Sequence, residues 1–149
     1  MTHGDSTIVE VLRGRAPPAT IASGRSMQEG LSAMKHQAVS ALAIVSPGGD
    51  FLGLLSEREI INGLARLGAP LLARPVEHLM QSDGPVARPD DTLASVRVTM
   101  AARQTSHIPV IAGSRLLAIL SIDELTAIGS TSGKDEVTSK RLVVDQTTL

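Results

Sequence analysis

The sequence predicts an α+β fold of two pseudo-symmetric strand–helix–strand–strand–helix repeats packed against one another. The first observation behind this is an internal repeat. Ser26-Met27 falls on Thr92-Leu93, Met34 on Met100, Ser40 on Ser106, and residues 42–45 on 108–111, all at an offset of 66. Beyond the next turn the offset is 65, so that Gly53-Leu54-Leu55-Ser56 falls on Ala118-Ile119-Leu120-Ser121 and Glu59 on Glu124. The second is periodicity: each copy alternates helical spacing with short apolar runs bounded by turn residues. The third is size. The chain has 149 residues, 42% apolar and 19% charged, and a copy of about 60 residues is too small to hold a large core alone.

The elements follow in order. Residues 8–12 and 76–80 form a repeated preamble, and short lead strands are expected around Thr20-Ile21 and Val86-Ala87. Leu31, Met34 and Ala38 after Ser26, and Leu93, Val96 and Met100 after Thr92, predict one helix per copy. Residues 41–45 and 108–111 predict buried strands, each paired in a hairpin with residues 51–55 or 116–120. The loops are Pro47-Gly48-Gly49-Asp50 and Ala112-Gly113-Ser114, whose one-residue difference accounts for the change of offset. Residues 56–67 and 121–128 predict closing amphipathic helices stopped by Gly68 and Gly129. The divisions are thus 7–68, 75–129 and a polar tail, 130–149, with room for one short strand at Leu142-Val143-Val144.

Composition excludes several function classes. Phe51 is the sole aromatic residue, so neither a base-stacking platform nor an aromatic cage can be built. The absence of cysteine removes thiolate metal sites, thiol catalysis and disulfides, and fits a reducing cytoplasm. A net charge of −1 gives no footprint for nucleic acid. The apolar runs are far too short for a membrane span, and the opening MTHGDST has no secretory pattern, so a cytoplasmic location is expected. His3, His36, His78 and His107 are too widely separated for short metal-ligand spacing. Residues 129–135 have three residues between glycines where a phosphate loop needs four, and Asp135 where Ser or Thr is required. Asp90 and Asp91 are read as a helix N-cap. With no catalytic or metal constellation, the expectation is a protein that is not an enzyme.

Three segments carry a resemblance. Gly53-Leu54-Leu55-Ser56-Glu57-Arg58-Glu59-Ile60 resembles the GIVSERDI segment of CBS domains, Ser106-His107-Ile108-Pro109-Val110 their RHLPV segment, and Pro89-Asp90-Asp91-Thr92-Leu93 their P-x-D-T-L helix start. The similarity spans about residues 7–129 and rests on order and duplication. It implies a tandem CBS pair, or Bateman module, whose sheets pack around a pseudo-two-fold axis and leave two clefts. Such modules bind adenosine-containing ligands, regulate a partner protein and form homodimers.

The resemblance also implies site residues. Ser56 and Glu59 in the first copy, and Ser121 and Glu124 in the second, occupy the places of the family's ribose-binding Ser/Thr and Asp. Thr20 with Val39, Ser40 and Ala41 would flank the adenine in the first copy; Ala87 with Ser106, His107, Ile108 and Pro109 match them in the second. Arg58 would serve the phosphate side of the first copy, where Asp123 in the second adds repulsion. The family's Asp is Glu in both copies, its Gly is Ala118, and its Arg is Ser106. The same Ser and Glu residues fit the S-x-x-E capping box, as Ser26 and Glu29 do. Two readings follow. One is a regulatory module that binds AMP, ADP, ATP, NAD(H) or S-adenosylmethionine, with no cofactor required. The other is a dimerisation and docking module that binds no ligand.

Overall fold

The computed structural model describes residues 6–130. Its elements are α1 (Ile8–Val11), β1 (Thr20–Ala22), α2 (Met27–Gln37), β2 (Ala41–Val45), β3 (Phe51–Ser56), α3 (Glu57–Leu67), α4 (Leu93–Arg103), β4 (His107–Ala112), β5 (Arg115–Ser121) and α5 (Ile122–Ser130). Tight 3-10 turns at Ala69–Ala73 and Val76–His78 connect the repeats. The tail expected beyond Ser130 lies outside the described residues.

The first repeat carries a three-stranded sheet, with β1 parallel to β2 and β2 antiparallel to β3; the second carries the antiparallel pair β4–β5. The expected second lead strand is reduced to a single parallel bridge, Ala87 to Val110. The reason lies in two prolines, one beside Ala87 and one on the facing strand β4. In the first repeat Ala19 accepts from Ala43 N and Ser23 donates to Val45 O on either side of Ile21. The donors Ala43 and Ser23 correspond to Pro109 and Pro89, which have no N–H to give a ladder.

Helix ends follow local chemistry. Ser26 and Glu29 form a complete capping box at α2, and Thr92 caps α4 by accepting from Ser95 N. Asp91 is not that cap: its carboxylate accepts from Arg88 N, closing the preceding turn. Ala38 and Gln104, 66 residues apart, end α2 and α4 in the left-handed conformation with φ of 57° and 52°. A non-glycine residue there costs about 1–2 kcal/mol, and both positions turn the chain sharply into the space between the repeats.

Two hydrophobic clusters form, and each recruits the preamble of the other repeat. Met27, Leu42, Ile44, Leu55 and Ile60 pack with Val76, whereas Leu93, Met100, Ile108, Leu120 and Leu125 pack with Ile8. Hydrogen bonds repeat the crossing. Met27 N donates to Arg74 O and Val76 N to Arg25 O, while Leu93 N donates to Ser6 O and Ile8 N to Asp91 O. Between the clusters β2 touches β5. The hairpin tips join where Phe51 N donates to Ser114 O and Ser114 Oγ to Asp50.

Candidate functional site

The pseudo-symmetry fixes two clefts, each walled by the lead segment and helix–strand corner of one repeat and by the hairpin–helix junction of the other. The first is a cavity of about 520 Å³ lined by residues 15–19, residues 38–41 and, from the second repeat, His107, Ala118, Ile119, Ser121 and Glu124. It therefore crosses copies: Val39, Ser40 and Ala41 face Ser121 and Glu124, and Ser56 and Glu59 lie elsewhere. Its apolar lining is the Ala-Pro-Pro-Ala run with Val39, Ala41, Ala118 and Ile119, and its polar lining is Arg15, Ser40, His107, Ser121 and Glu124.

The pseudo-equivalent cleft has collapsed in its apolar part. Leu54 and Gln81 exchange two backbone hydrogen bonds, of 3.0 and 2.8 Å, across the edge of β3. Gly53 permits this approach, since a Cβ there would lie 2.8 Å from Met80 Sδ and 3.0 Å from Gln81 O. What remains is a gap of about 20 Å³ bordered by Pro85, Val86 and Pro109, and a separate polar cavity of about 280 Å³ containing Ser56, Arg58, Glu59, Arg103, Gln104 and Ser106. At the corresponding edge of β5 the chain stands further off: Arg15, 66 residues before Gln81, reaches Ile119 O through its side chain, at 3.2 Å. A side chain's length in place of a backbone ladder separates the open cleft from the closed one. Ala118, at the place of the family's Gly, lines the larger cavity.

The other expected residues are placed as follows. Thr20 is exposed at the start of β1, next to the wall residue Ala19. Ala87 is 1% exposed in the second core; its neighbour Val86 faces the cleft, because a one-residue step along an extended chain changes faces. Ile108 is likewise a core residue, 1% exposed. Arg58 and Asp123, expected in separate clefts, both line a central groove of about 350 Å³ with Ser40, Ser56, Ser106 and Ser121. Arg15, the Ala-Pro-Pro-Ala run, Ala38 and Arg103 were not expected. Extending the repeat at its offset of 66 would have paired Arg15 with Gln81 and brought this segment into view.

The capping boxes differ between copies. At α5 Ser121 Oγ accepts from Glu124 N at 3.1 Å, and the Glu124 carboxylate accepts from Ser121 N at 3.2 Å. At α3 Ser56 Oγ accepts from Glu59 N at 3.2 Å, but the return bond is missing, so the expected full box is half formed. Glu124 is also held by an ion pair with Arg15. Its burial raises the carboxyl pKa, but the Arg15 and Ser121 hydrogen bonds and the charges of Arg15 and His107 outweigh this and set it below its ordinary value.

His107 borders both clefts and the groove. Its Nε2 lies 3.0 Å from Ser40 Oγ, which ties the repeats together, and its Nδ1 lies 3.3 Å from Oγ of the adjacent Ser106. Burial lowers its pKa, and Asp123 and Glu124 oppose the shift only in part. A histidine whose folded pKa is lowered binds more protons unfolded, so acid costs stability between the unfolded pKa, about 6.5, and the folded one. Glu124 adds a loss of the same sign lower down, as pH falls through its depressed folded pKa. Urea titrations from pH 8 to about pH 2 should show falling stability in two stages, the lower one below about pH 4.5, and His107→Gln should flatten the upper one. An unchanged upper stage in that variant would assign it to other groups.

These features agree with a family match. The CBS domain model matches residues 5–66 and 76–129. The chain belongs to the CBS domain family. Its fold is that of solved CBS pairs. A CBS-domain containing protein from Agrobacterium tumefaciens has 22% identity and a TM-score of 0.77 over 83% of this chain and 93% of that one. A CBS domain pair solved with 5′-methylthioadenosine and S-adenosyl-L-methionine has 21% identity and a TM-score of 0.75, covering 87% of this chain and 98% of its own. A CBS domain protein from Pyrobaculum aerophilum complexed with AMP has 18% identity and a TM-score of 0.71, covering 79% and 88%. No curated protein matches the sequence. Among the described residues of this CBS pair, no helix is long and apolar enough to cross a membrane and no cluster of metal-ligating side chains occurs.

Proposed function

We propose that this CBS pair is a regulatory module that binds an adenosine-containing small molecule in the larger cleft and passes the resulting movement of its repeats to a partner protein. The observation that carries the reading is the cavity of about 520 Å³ between the repeats, a volume within the range of small-molecule sites. Its apolar lining suits a purine, and Ser40, Ser121 and Glu124 offer hydroxyl and carboxylate groups to a ribose. The adenosine-type ligands in the two complexes described above support the class. Binding can move the repeats only as far as the ligand's differential affinity for their two arrangements. The working form is a homodimer in the cytoplasm with no turnover of its own.

A dye-based thermal melt against AMP, ADP, ATP, NAD, NADH, S-adenosylmethionine and 5′-methylthioadenosine tests this. The dye is needed because the chain has no Trp or Tyr. A ligand at a hundred times its Kd adds about 2.7 kcal/mol, which at about 2–4 °C per kcal/mol raises Tm by about 5–10 °C. A shift for one or two compounds is expected. No shift for any of them, on protein free of co-purified nucleotide, would leave the docking module as the better reading.

A further inference from the structure

We propose that Arg15 is a ligand-displaced latch on the larger cleft and its specificity determinant, selecting a nucleoside that carries an anionic 5′ group as well as a free ribose diol. The inference rests on the adenosine-binding reading above. Arg15 comes from the segment joining α1, docked on the second repeat, to β1 of the first. Its guanidinium spans both carboxylate oxygens of Glu124 and donates to Ile119 O at 3.2 Å. Glu124 also accepts from Ser121 N. An ionised carboxylate offers about four acceptor positions, of which Arg15 and Ser121 take three. A ribose diol donating two hydrogen bonds to Glu124 must therefore displace Arg15 from at least one oxygen.

What happens to the displaced cation decides which ligands bind. Among the residues lining this cavity Arg15 is the one arginine or lysine. A neutral nucleoside that takes over Glu124 leaves the guanidinium without its anion in a partly buried place. A phosphorylated one offers that planar guanidinium a bidentate phosphate acceptor in exchange, so one charge pair replaces another. The pseudo-equivalent Gln81 is tied to β3 by its backbone and has no charge to exchange, which confines the latch to the open cleft. Release of Arg15 also loosens the link between the N-terminal segment and α5.

Isothermal titration of the full chain and of Arg15→Gln with AMP and with adenosine tests this. The unaltered protein should bind AMP at least tenfold more tightly than adenosine. In Arg15→Gln AMP should weaken while adenosine binds as well as before or better, bringing the ratio to about one. Arg15→Lys, which keeps the charge but loses the fork, should retain the AMP preference while binding adenosine more tightly, and it serves as the second variant if Arg15→Gln folds poorly. A persisting AMP preference in Arg15→Gln, or a parallel loss of both ligands, overturns the latch and leaves the ligand-sensing reading standing. Binding of neither compound to the unaltered protein overturns the latch, and a flat melt with all seven compounds then separates failure of the wider reading.

Discussion

Ile8→Ala should destabilise the second repeat, although Ile8 precedes the first in sequence. Ile8 is 0% exposed and packs among Leu93, Val96, Met100, Ile108 and Leu125. Removing three carbons from such a place costs about 2–5 kcal/mol, the transfer free energy of the lost atoms plus the cavity left behind. At about 2–4 °C per kcal/mol, Tm should fall by about 4–20 °C. The location of the loss is the sharper test. Hydrogen exchange should accelerate most in α4, β4 and β5, whereas β1–β3 and α3 should retain more protection. Val76→Ala should give the reverse pattern, because Val76 is 0% exposed in the other cluster, with Met27, Leu55 and Ile60. Equal acceleration throughout both repeats would show that the two cores open as one unit.

This crossing of preambles marks where sequence reasoning stopped. The match of residues 8–12 to 76–80 is legible, because a repeat needs only residue types in order. Which core each preamble enters depends on the path of the connecting chain, which no local spacing encodes. The buried strands were legible for a different reason: β2 reads Ala41-Leu42-Ala43-Ile44 with no polar interruption, and all four side chains are buried. The second lead strand is not legible from its apolar Val86-Ala87, because Pro109 and Pro89 remove the donors a ladder needs. The site was legible in its residue types and less so in its partners. Ser121 and Glu124 were found by motif, yet the wall they face belongs to Val39, Ser40 and Ala41 of the other copy. Arg15 carried no motif. Its role arises because the β5 edge lacks the backbone bridge that Gly53 permits at β3.

The same asymmetry predicts that two glutamates at equivalent positions behave differently. Glu124→Ala removes the return bond of the capping box and the partner of Arg15, and loss of such a cap costs about 0.5–2 kcal/mol. On the proposed reading it also removes the ribose acceptor, so affinity for the compound that stabilises the unaltered chain should fall about a hundredfold. At a concentration that was a hundred times Kd, stabilisation then drops from about 2.7 to about 0.4 kcal/mol, and the thermal shift from about 5–10 °C to about 1–2 °C. Glu59→Ala should leave the shift intact. The cap at α3 depends on Ser56 Oγ and Glu59 N, both of which survive, and the Glu59 carboxylate takes no part in the box, so the stability change should stay within about 0.5 kcal/mol. The opposite outcome, a lost response in Glu59→Ala with Glu124→Ala unaffected, would move the binding site to the polar cavity of Arg58 and Arg103. There the Leu54–Gln81 ladder leaves too little apolar space for a purine, so such a result would require that ladder to open on binding.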